Sequence, residues 1–216
     1  KNIFKQDAFL LCDDKISRYG FNSDFTKHLI KNNLEGELHT GKTMRALIDL
    51  CLAKGVEIKT GVAVSRIDET EKTVNIIVNN AATLNEEFIF NASKVVVCTN
   101  AFTHQSYPAL DIQPGRGQVL VKKPVSNLKF KGIFHFDKGY YYFREVDGRV
   151  LFGGGRNLDF KKEETTEFAL NEKIQKDLLE KLQTIILTDT TFEIEDTWAV
   201  IIAFGKSQFT ILKKQS

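Results

Sequence analysis

Two arginines that stand among glycines are the side chains best suited to bind a small ligand. Arg116 lies between Gly115 and Gly117, and Arg156 follows the run Gly153–Gly155. Because glycine has no side chain, the backbone and the guanidinium can both approach a ligand, and a guanidinium matches the planar shape of an anionic group. Glycine bends at strand ends are also common without any function, so a structural role for both stretches is the alternative.

A second candidate site follows a short apolar run. Val95–Val97 has no polar alternation, which is typical of a strand buried on both faces. The run ends in Cys98, Thr99 and Asn100, and ligands of open α/β sheets bind at this edge of the strands. The sequence therefore predicts a ligand-facing turn here, with a solvent-facing turn after a core strand as the alternative.

Three consecutive tyrosines fall in a predicted strand, where alternate side chains face opposite sides of the sheet. Tyr140 and Tyr142 therefore share one face, and Tyr141 takes the other. We expect at least one of the three phenols to pack in the core. Contact between a phenol and a ligand is the alternative.

The sequence lacks the motifs of several kinds of catalytic and cofactor-binding sites. The four histidines have no metal-ligand spacing with one another or with the cysteines, so we expect no metal site. No G-x-S-x-G presents a nucleophilic serine, and Cys98 follows a predicted buried strand, where a thiol is usually inert. No G-x-G-x-x-G occurs either, so the sequence carries no dinucleotide-binding fingerprint.

The composition is that of an ordinary globular protein, with 42% hydrophobic and 27% charged residues. A net charge of +2 is too small to indicate binding to nucleic acid or to an anionic membrane surface. Three distant cysteines without a C-x-x-C pair indicate a reducing compartment, and we expect a cytoplasmic location. No apolar run is long enough to span a membrane. The chain does not begin with Met, since Met44 is its only methionine, and we expect a processed or partial chain.

The pattern of elements predicts an α+β fold. A helix begins near Thr40, with apolar residues at helical spacing and Gly55 at its end, and short strands are predicted at 56–60, 62–68, 74–78, 87–91 and 95–97. After Pro114, short aromatic strands at 119–122, 132–136, 140–146 and 149–153 predict an antiparallel sheet, followed by a covering helix at 166–187 and closing strands at 192–194 and 198–204. We expect an α/β remnant in residues 1–118 and the antiparallel sheet in 119–216, with a discontinuous boundary.

Four stretches, in this order, resemble the D-amino-acid-oxidase (DAO) type of FAD-dependent oxidoreductase. The first is Glu35–Leu47 with Gly55–Ile67, and the second is Val95–Phe102 with Pro114–Gln118. The third is Tyr140–Arg156, and the fourth is Trp198–Gly205. Each stretch is a weak signal alone, but their order and separations make the set specific to this family. The resemblance extends over most of the chain.

The resemblance implies a cofactor site and a substrate site. The strand that contains Val64 would lie at the adenine end of FAD, and the sheet after Pro114 would lie in the substrate-binding part. The implied cofactor-binding residues are Val64, Cys98, Thr99, Asn100, Arg116, Gly117 and Gln118. Tyr142 and Arg156 are the implied substrate-binding residues. The flavin would carry out the redox step while the protein orients the substrate.

The sequence departs from the family pattern in three ways. It lacks the initial βαβ unit with G-x-G-x-x-G that binds the FAD pyrophosphate, and it stops before the family's last flavin-binding segment. Val200, Ile201 and Ile202 stand where amine-oxidising members place a carboxylate-binding arginine. An α-amino-acid substrate held by an arginine at that position is therefore not expected.

These features lead to one hypothesis and one alternative. The hypothesis is an internal piece of an FAD-dependent oxidoreductase that removes hydride from a small amine- or hydroxyl-bearing substrate, with the isolated piece inactive and binding FAD weakly. The alternative is a flavin-free module that binds a ligand or a protein. An open sheet edge beside Val95–Val97 would also favour self-association.

Overall fold

The computed structural model describes residues 5–80 and 86–205 and separates into two units. The larger unit contains Lys1–Glu37, Asn100–His104 and Ala109–Ser216, and the smaller contains Leu38–Thr99 and Gln105–Pro108. The strands are β1 (Phe9–Leu11), β2 (Ile30–Asn32), β3 (Val62–Glu69), β4 (Val74–Asn80), β5 (Glu87–Ala92), β6 (Gln113–Lys122), β7 (Ile133–Phe136), β8 (Tyr141–Val146), β9 (Arg149–Gly154) and β10 (Ile194–Phe204). The α-helices are α1 (Lys15–Tyr19), α2 (Thr40–Ala53), α3 (Thr103–Ser106) and α4 (Glu172–Lys181).

A five-stranded antiparallel sheet organises the larger unit. Its strand order is β10-β6-β9-β8-β7, so β6 lies between β10, the last strand that the structure describes, and the β8–β9 hairpin. Asp147 at φ +51° and Gly148 at φ +75° make the tight turn of that hairpin, as their sequence predicts. The chain pairs β6 with β10 along nearly its whole length, from Gln113 with Phe204 to Lys122 with Ile194.

Helix α4 covers one face of this sheet. Asn171 caps its first turn by accepting a hydrogen bond from the Lys173 amide at 3.2 Å, and a π-helical turn (Leu182–Ile186) continues it. Its apolar side packs on the aliphatic and aromatic side chains of β6, β8 and β9. The fully buried members of this core include Leu120, Val150, Phe152, Ile174, Leu178 and Leu182.

Stacked and edge-to-face aromatic rings extend the core beside β7 and β8. The rings of Phe134 and Phe143 stack with centroids 4.8 Å apart, and Phe21 meets Phe143 edge-on at 5.5 Å. Phe21 follows α1, whose last turn ends at Gly20 with φ +78°. The segment before residue 37 is therefore fastened to the sheet by aromatic packing, and β1 and β2 form a separate two-stranded pair.

The smaller unit consists of α2 and the three-stranded sheet β3-β4-β5. Helix α2 begins at Thr40, and its N-cap is His39 rather than Thr40, the N-cap that the sequence predicts. His39 Nδ1 accepts from the Lys42 amide at 3.2 Å, and Gly55 follows the end of the helix at φ +77°. None of its residues is buried. The apolar side chains whose spacing predicts a buried face are between 38% and 56% exposed: Met44, Leu47, Ile48 and Leu52.

Four sequence-based expectations about elements are wrong. Val95–Val97 and residues 56–60 are not strands, and Val96 is 83% exposed. A strand persists only where a neighbour completes its ladder, and no described strand pairs with either segment. The covering helix begins at Glu172 rather than Thr166. In the segment before it, the carbonyls of Glu167 and Ala169 accept hydrogen bonds from the β6 side chains Arg116 and Gln118. The two predicted closing strands form one continuous strand, β10, with a bulge between Ile194 and Asp196.

The α+β fold class is confirmed. The boundary expected at residue 118 falls inside β6, and the division into cofactor and substrate domains stays a prediction. Within 5–80 and 86–205, no helix is both long enough and apolar enough to cross a bilayer.

Neighbouring leucines on α4 test how much the sheet depends on this helix. Leu178 is 0% exposed and Leu179 is 43% exposed. We expect Leu178→Ala to lower the free energy of unfolding by about 2–5 kcal/mol, because it leaves a cavity between helix and sheet. Leu179→Ala should change it by about 0.5 kcal/mol or less. Urea denaturation followed by circular dichroism measures both, and equal losses would contradict this packing.

Candidate functional site

Strand alternation gives the five-stranded sheet two chemically different faces. The face away from α4 carries Gly115 and Gly117 of β6, and the strand register places Gly153 and Tyr142 on the same side. Val200, Ile202 and Phe204 of β10 also lie there. We define these seven residues, together with Arg156, as the glycine face. The opposite, core face carries Arg116, Gln118 and Leu120.

The glycines allow neighbouring side chains to lie directly on the backbone. A Cβ at Gly115 would lie 2.3 Å from Cε2 of Phe204 and 3.0 Å from Cζ of Arg156. A Cβ at Gly153 would lie 2.5 Å from the Tyr142 hydroxyl oxygen. These distances are shorter than ordinary van der Waals contacts, so only glycine permits this arrangement of Phe204, Arg156 and Tyr142.

The guanidinium of Arg156 packs over two aromatic rings. Its Cζ lies 4.3 Å from the ring centroid of Phe204 and 5.3 Å from that of Phe160, which is cation–π geometry. Its Nε is buried and has no hydrogen-bond partner. No carboxylate of the described ranges forms an ion pair with it. Gly155, in the left-handed region at φ +74°, makes the turn that delivers this side chain to the glycine face.

Tyr142 and Tyr141 point to opposite faces, as their alternation predicts. Tyr141 is 1% exposed and donates a hydrogen bond to Asp177 Oδ2 of α4 at 2.7 Å, so it belongs to the core. Burial raises the pKa of Tyr142 above its usual range, which keeps its phenol neutral near pH 7. A neutral phenol can orient a ligand through a hydrogen bond, but it cannot act as a base at that pH.

On the core face, Arg116 forms a buried ion pair with Glu163. Arg116 is 4% exposed and Glu163 is 0% exposed, and the guanidinium donates to the two carboxylate oxygens from Nε at 3.0 Å and from Nη2 at 2.9 Å. The guanidinium also donates to the backbone oxygens of Glu167 and Lys162, and the Arg116 amide donates to the Glu163 carbonyl at 2.7 Å. The segment after residue 159 is thereby fixed to β6.

Two amides complete the coordination of the Glu163 carboxylate. Gln118 Nε2 donates to it at 3.0 Å and Asn171 Nδ2 at 2.7 Å. Burial acts to raise the pKa of Glu163, but the hydrogen bonds from Arg116, Asn171 and Gln118 outweigh burial, so the pKa lies below its ordinary value. We call Arg116, Glu163, Gln118 and Asn171 the buried network.

The buried network changes the interpretation of two candidate residues. The Arg116 guanidinium donates its hydrogen bonds to Glu163 and to backbone oxygens, and its expected approach to a ligand stays a prediction. Gln118 is likewise 0% exposed. Of the two arginines among glycines, Arg156 alone lies on the glycine face. The assignment of Arg116, Gly117 and Gln118 to cofactor binding stays a prediction.

The other candidate residues fall in both units. Asn100, at φ +52°, holds the edge of β10: its Nδ2 donates to the Ile201 carbonyl at 3.2 Å and its Oδ1 accepts from the Ala203 amide at 3.1 Å. In the smaller unit, Val64 of β3 is 55% exposed, and Cys98 and Thr99 are exposed in an irregular segment. Their roles in cofactor binding stay predictions.

Sequence reasoning missed Glu163, Phe160 and Phe204. A charged segment such as D-F-K-K-E has no periodicity that marks one residue as buried. One signal was available, however. Alternation along β6 puts Arg116 on the side of Leu120, opposite Gly115 and Gly117, so the arginine and its glycine neighbours could not face the same ligand.

The sequence matches the family model described as DAO, FAD dependent oxidoreductase, over residues 18–213. The chain therefore belongs to this family of flavoproteins, and FAD is the family's cofactor. No curated protein sequence matches the chain.

Solved structures with the same fold include several flavoenzymes. Glycine oxidase from Bacillus cereus superposes with a TM-score of 0.69 at 18% identity, covering 90% of this chain and 52% of that one. L-Proline dehydrogenase from P. horikoshii gives 0.68 at 14% identity, covering 93% and 53%. Glycerol-3-phosphate dehydrogenase from Bacillus halodurans, complexed with FAD, gives 0.61 at 11% identity, covering 91% and 43%. The chain spans about half the length of these proteins.

Side chains of β10 lie over the glycines of β6. Gly117 is half-buried beside Val200, whose Cγ2 would lie 3.1 Å from a Cβ at that position. Among the described residues, no cluster of three or more His, Cys, Asp or Glu side chains could hold a metal ion.

The buried network predicts an asymmetric response to substitution. We expect Glu163→Gln to lower the free energy of unfolding by about 3–5 kcal/mol, because it leaves the Arg116 charge buried without its partner. The double variant Arg116→Gln/Glu163→Gln should cost less than the single one. Glu195→Gln is the control, since its pair with Arg149 is partly exposed, and should have a much smaller effect. Urea titrations compare the three. A single variant as stable as the control would contradict the network.

The same carboxylate predicts a dependence of stability on pH. Its pKa in the folded protein lies below the ordinary value of 4.5, so its contribution is complete above that value and is lost as pH falls through the folded pKa. We expect the free energy of unfolding of the wild type to fall below pH 4.5 more steeply than that of the Arg116→Gln/Glu163→Gln variant. Parallel pH profiles would contradict this assignment.

Proposed function

We propose that this chain serves an FAD-dependent oxidoreductase that oxidises a small amine- or hydroxyl-bearing substrate. The family match over residues 18–213 is the observation that carries the proposal. When bound, the flavin supplies the hydride acceptor. The chain contributes the surfaces that bind the cofactor and orient the substrate.

The substrate class rests on the named neighbours and on the glycine face. Glycine oxidase and L-proline dehydrogenase support an amine-bearing substrate, and glycerol-3-phosphate dehydrogenase supports a hydroxyl-bearing one. Tyr142 offers a neutral hydroxyl that can donate to, or accept from, either group. Its proposed role is therefore to orient the substrate rather than to remove a proton.

Cofactor-binding residues are proposed in each unit. In the smaller unit they are Val64, Cys98 and Thr99, and in the larger unit Asn100, Arg116, Gly117 and Gln118. For Arg116 and Gln118, the buried network supports an indirect role, since their side chains hold in place the strand β6 that carries Gly117. Because the sequence contains no G-x-G-x-x-G, we expect these 216 residues alone to bind FAD weakly and to be inactive.

Two further parts of the proposal concern location and assembly. The three cysteines are free, which supports a reducing, cytoplasmic compartment. Self-association stays a prediction, but its expected cause has changed, because Val95–Val97 offers no strand edge for another chain. The outer strand β7 of the five-stranded sheet is the alternative edge.

The experiment uses protein expressed from the complete reading frame that contains these residues. We expect it to purify with flavin absorbance near one FAD per chain. When small amines and hydroxy compounds are added one at a time without oxygen, at least one should bleach the flavin absorbance. Tyr142→Phe should retain flavin and raise KM, because it removes one hydroxyl from the glycine face. His135→Phe, a neighbouring exposed ring on the same face, is the matched control.

The flavin content separates the oxidoreductase from the flavin-free binding module, and the bleaching tests the proposed substrate class. Protein that neither carries flavin nor is stabilised by added FAD would overturn the oxidoreductase proposal and favour the flavin-free binding module. Flavin that is present but is reduced by no amine and no hydroxy compound would overturn the proposed substrate class. Melting temperatures with and without FAD measure the binding independently of turnover.

A further inference from the structure

The outer edge of β7 is the open edge of the five-stranded sheet. On its inner side, β7 pairs with β8 along its whole length. Among the residues that the structure describes, none hydrogen-bonds to the backbone groups on its outer side. The other edge of the sheet is partly covered, since the Asn100 side chain bonds to two backbone groups of β10. An unpaired strand edge is a template on which another strand can pair.

Two charged side chains flank this edge. Lys131 stands two residues before β7, and Asp137 follows the strand directly. Both are exposed, and neither takes part in any ion pair of the described residues. Each lies three positions from Phe134, one before it and one after it. The edge therefore has a positive charge at one end and a negative charge at the other.

We propose that β7 pairs antiparallel with the β7 strand of a second copy of this chain, across a two-fold axis beside Phe134. A two-fold contact uses the same surface of both copies, so every pair of residues in it occurs twice. The inference gives the self-association proposed above a partner, an edge and a register. It does not depend on flavin binding.

Symmetry restricts the register of such a pair. Directly opposite residues of antiparallel strands point to the same face of the sheet. A two-fold axis between two copies of one strand is therefore perpendicular to the sheet, and it places one residue opposite itself. When that residue is Phe134, Lys131 of each copy lies opposite Asp137 of the other. The contact then contains two ion pairs between copies.

One other register would also bring opposite charges together. With Ile133 at the centre, Lys129 would lie opposite Asp137. The Lys129 side chain is directed elsewhere, since a Cβ at Gly20 would lie 3.3 Å from its Cδ. The next residue, Phe130, is 2% exposed. The chain therefore enters the core at this point, and the register centred on Phe134 is the one that the charges favour.

This register also pairs apolar side chains across the contact. On the core face, Phe134 lies opposite its own copy, and on the other face Ile133, which is 39% exposed, lies opposite His135. Aromatic and β-branched residues form favourable cross-strand pairs. Phe25 adds apolar surface beside the edge, because its ring is 51% exposed and meets the Phe136 ring edge-on at 6.0 Å.

The size of the contact sets the strength that we expect. A strand of four residues buries much less than the roughly 1,200–2,000 Å² of a stable interface. We therefore expect a reversible dimer with micromolar or weaker affinity. Salt should weaken it, because the two ion pairs lie at the surface.

The test measures self-association of the complete protein by sedimentation velocity, from low micromolar to millimolar concentration. Lys131→Glu and Asp137→Lys each put two pairs of like charges into the contact, so each should weaken the dimer about tenfold. An equimolar mixture of the two variants should associate as tightly as the wild type. In the mixed dimer, each substituted position again meets the opposite charge.

Lys138→Glu is the matched control, because it makes the same change of charge on an exposed lysine that faces no charge in this register. It should change self-association by about twofold or less. A protein that stays monomeric, equal losses in Lys138→Glu and Lys131→Glu, or a mixture that does not recover would overturn the proposal. A loss in Lys129→Glu in place of Lys131→Glu would overturn the register.

A second variant keeps the test decisive if Asp137→Lys does not fold. Asp137 has φ +47°, and asparagine tolerates this left-handed region well. Asp137→Asn should therefore fold and weaken the dimer, because it removes both ion pairs. Self-association unchanged in both Asp137→Asn and Lys131→Glu would overturn the proposal.

Failure of this inference and failure of the proposed function give different results. A monomeric protein that carries FAD and oxidises a substrate would overturn the inference and leave the oxidoreductase. A dimer that responds to these substitutions but binds no FAD would do the reverse. Lys131→Glu should keep the flavin content of the wild type, since β8 and β9 separate this edge from β6, the strand that carries Gly117.

Discussion

The ion pair between Arg116 and Glu163 is the interaction on which the larger unit depends. A carboxylate with no solvent exposure is stable only when its oxygens are fully hydrogen-bonded, and here Arg116, Gln118 and Asn171 supply those bonds. Two of these partners belong to β6 and the third caps α4. The pair therefore connects the central strand, the segment after residue 159 and the start of the covering helix.

This arrangement also determines what the other side of β6 can do. Successive residues of a strand face opposite sides, so each polar residue that enters the buried network leaves a neighbour on the glycine face. Those neighbours are Gly115 and Gly117, and the missing side chain at Gly115 lets Phe204 and Arg156 lie directly on the backbone. Residues 115–118 thus take part in the buried network on one side of the sheet and accommodate the side chains of Phe204 and Arg156 on the other.

The sequence predicted elements whose pattern is local and missed arrangements that depend on distant partners. The helix from Thr40, the β8–β9 hairpin and the antiparallel sheet follow from periodicity and turn residues. Val95–Val97 reads as a strand because its residues favour one, but a strand also needs a neighbour to bond with. Glu163 carried no local signal, since its burial depends on Arg116, which lies 47 positions earlier. Arg156 follows three glycines in the sequence, but its aromatic neighbours could be found only in three dimensions.

The position of β10 in the sheet has a consequence for biosynthesis. Among the described strands, β10 is the last in the chain and pairs with β6 alone, which is made much earlier. Pairing between segments so far apart in sequence is slow to form, since a long loop must close first. During translation, one side of β6 therefore has no partner until β10 leaves the ribosome. A chaperone that binds extended apolar segments would find β6 accessible for most of the synthesis of the larger unit.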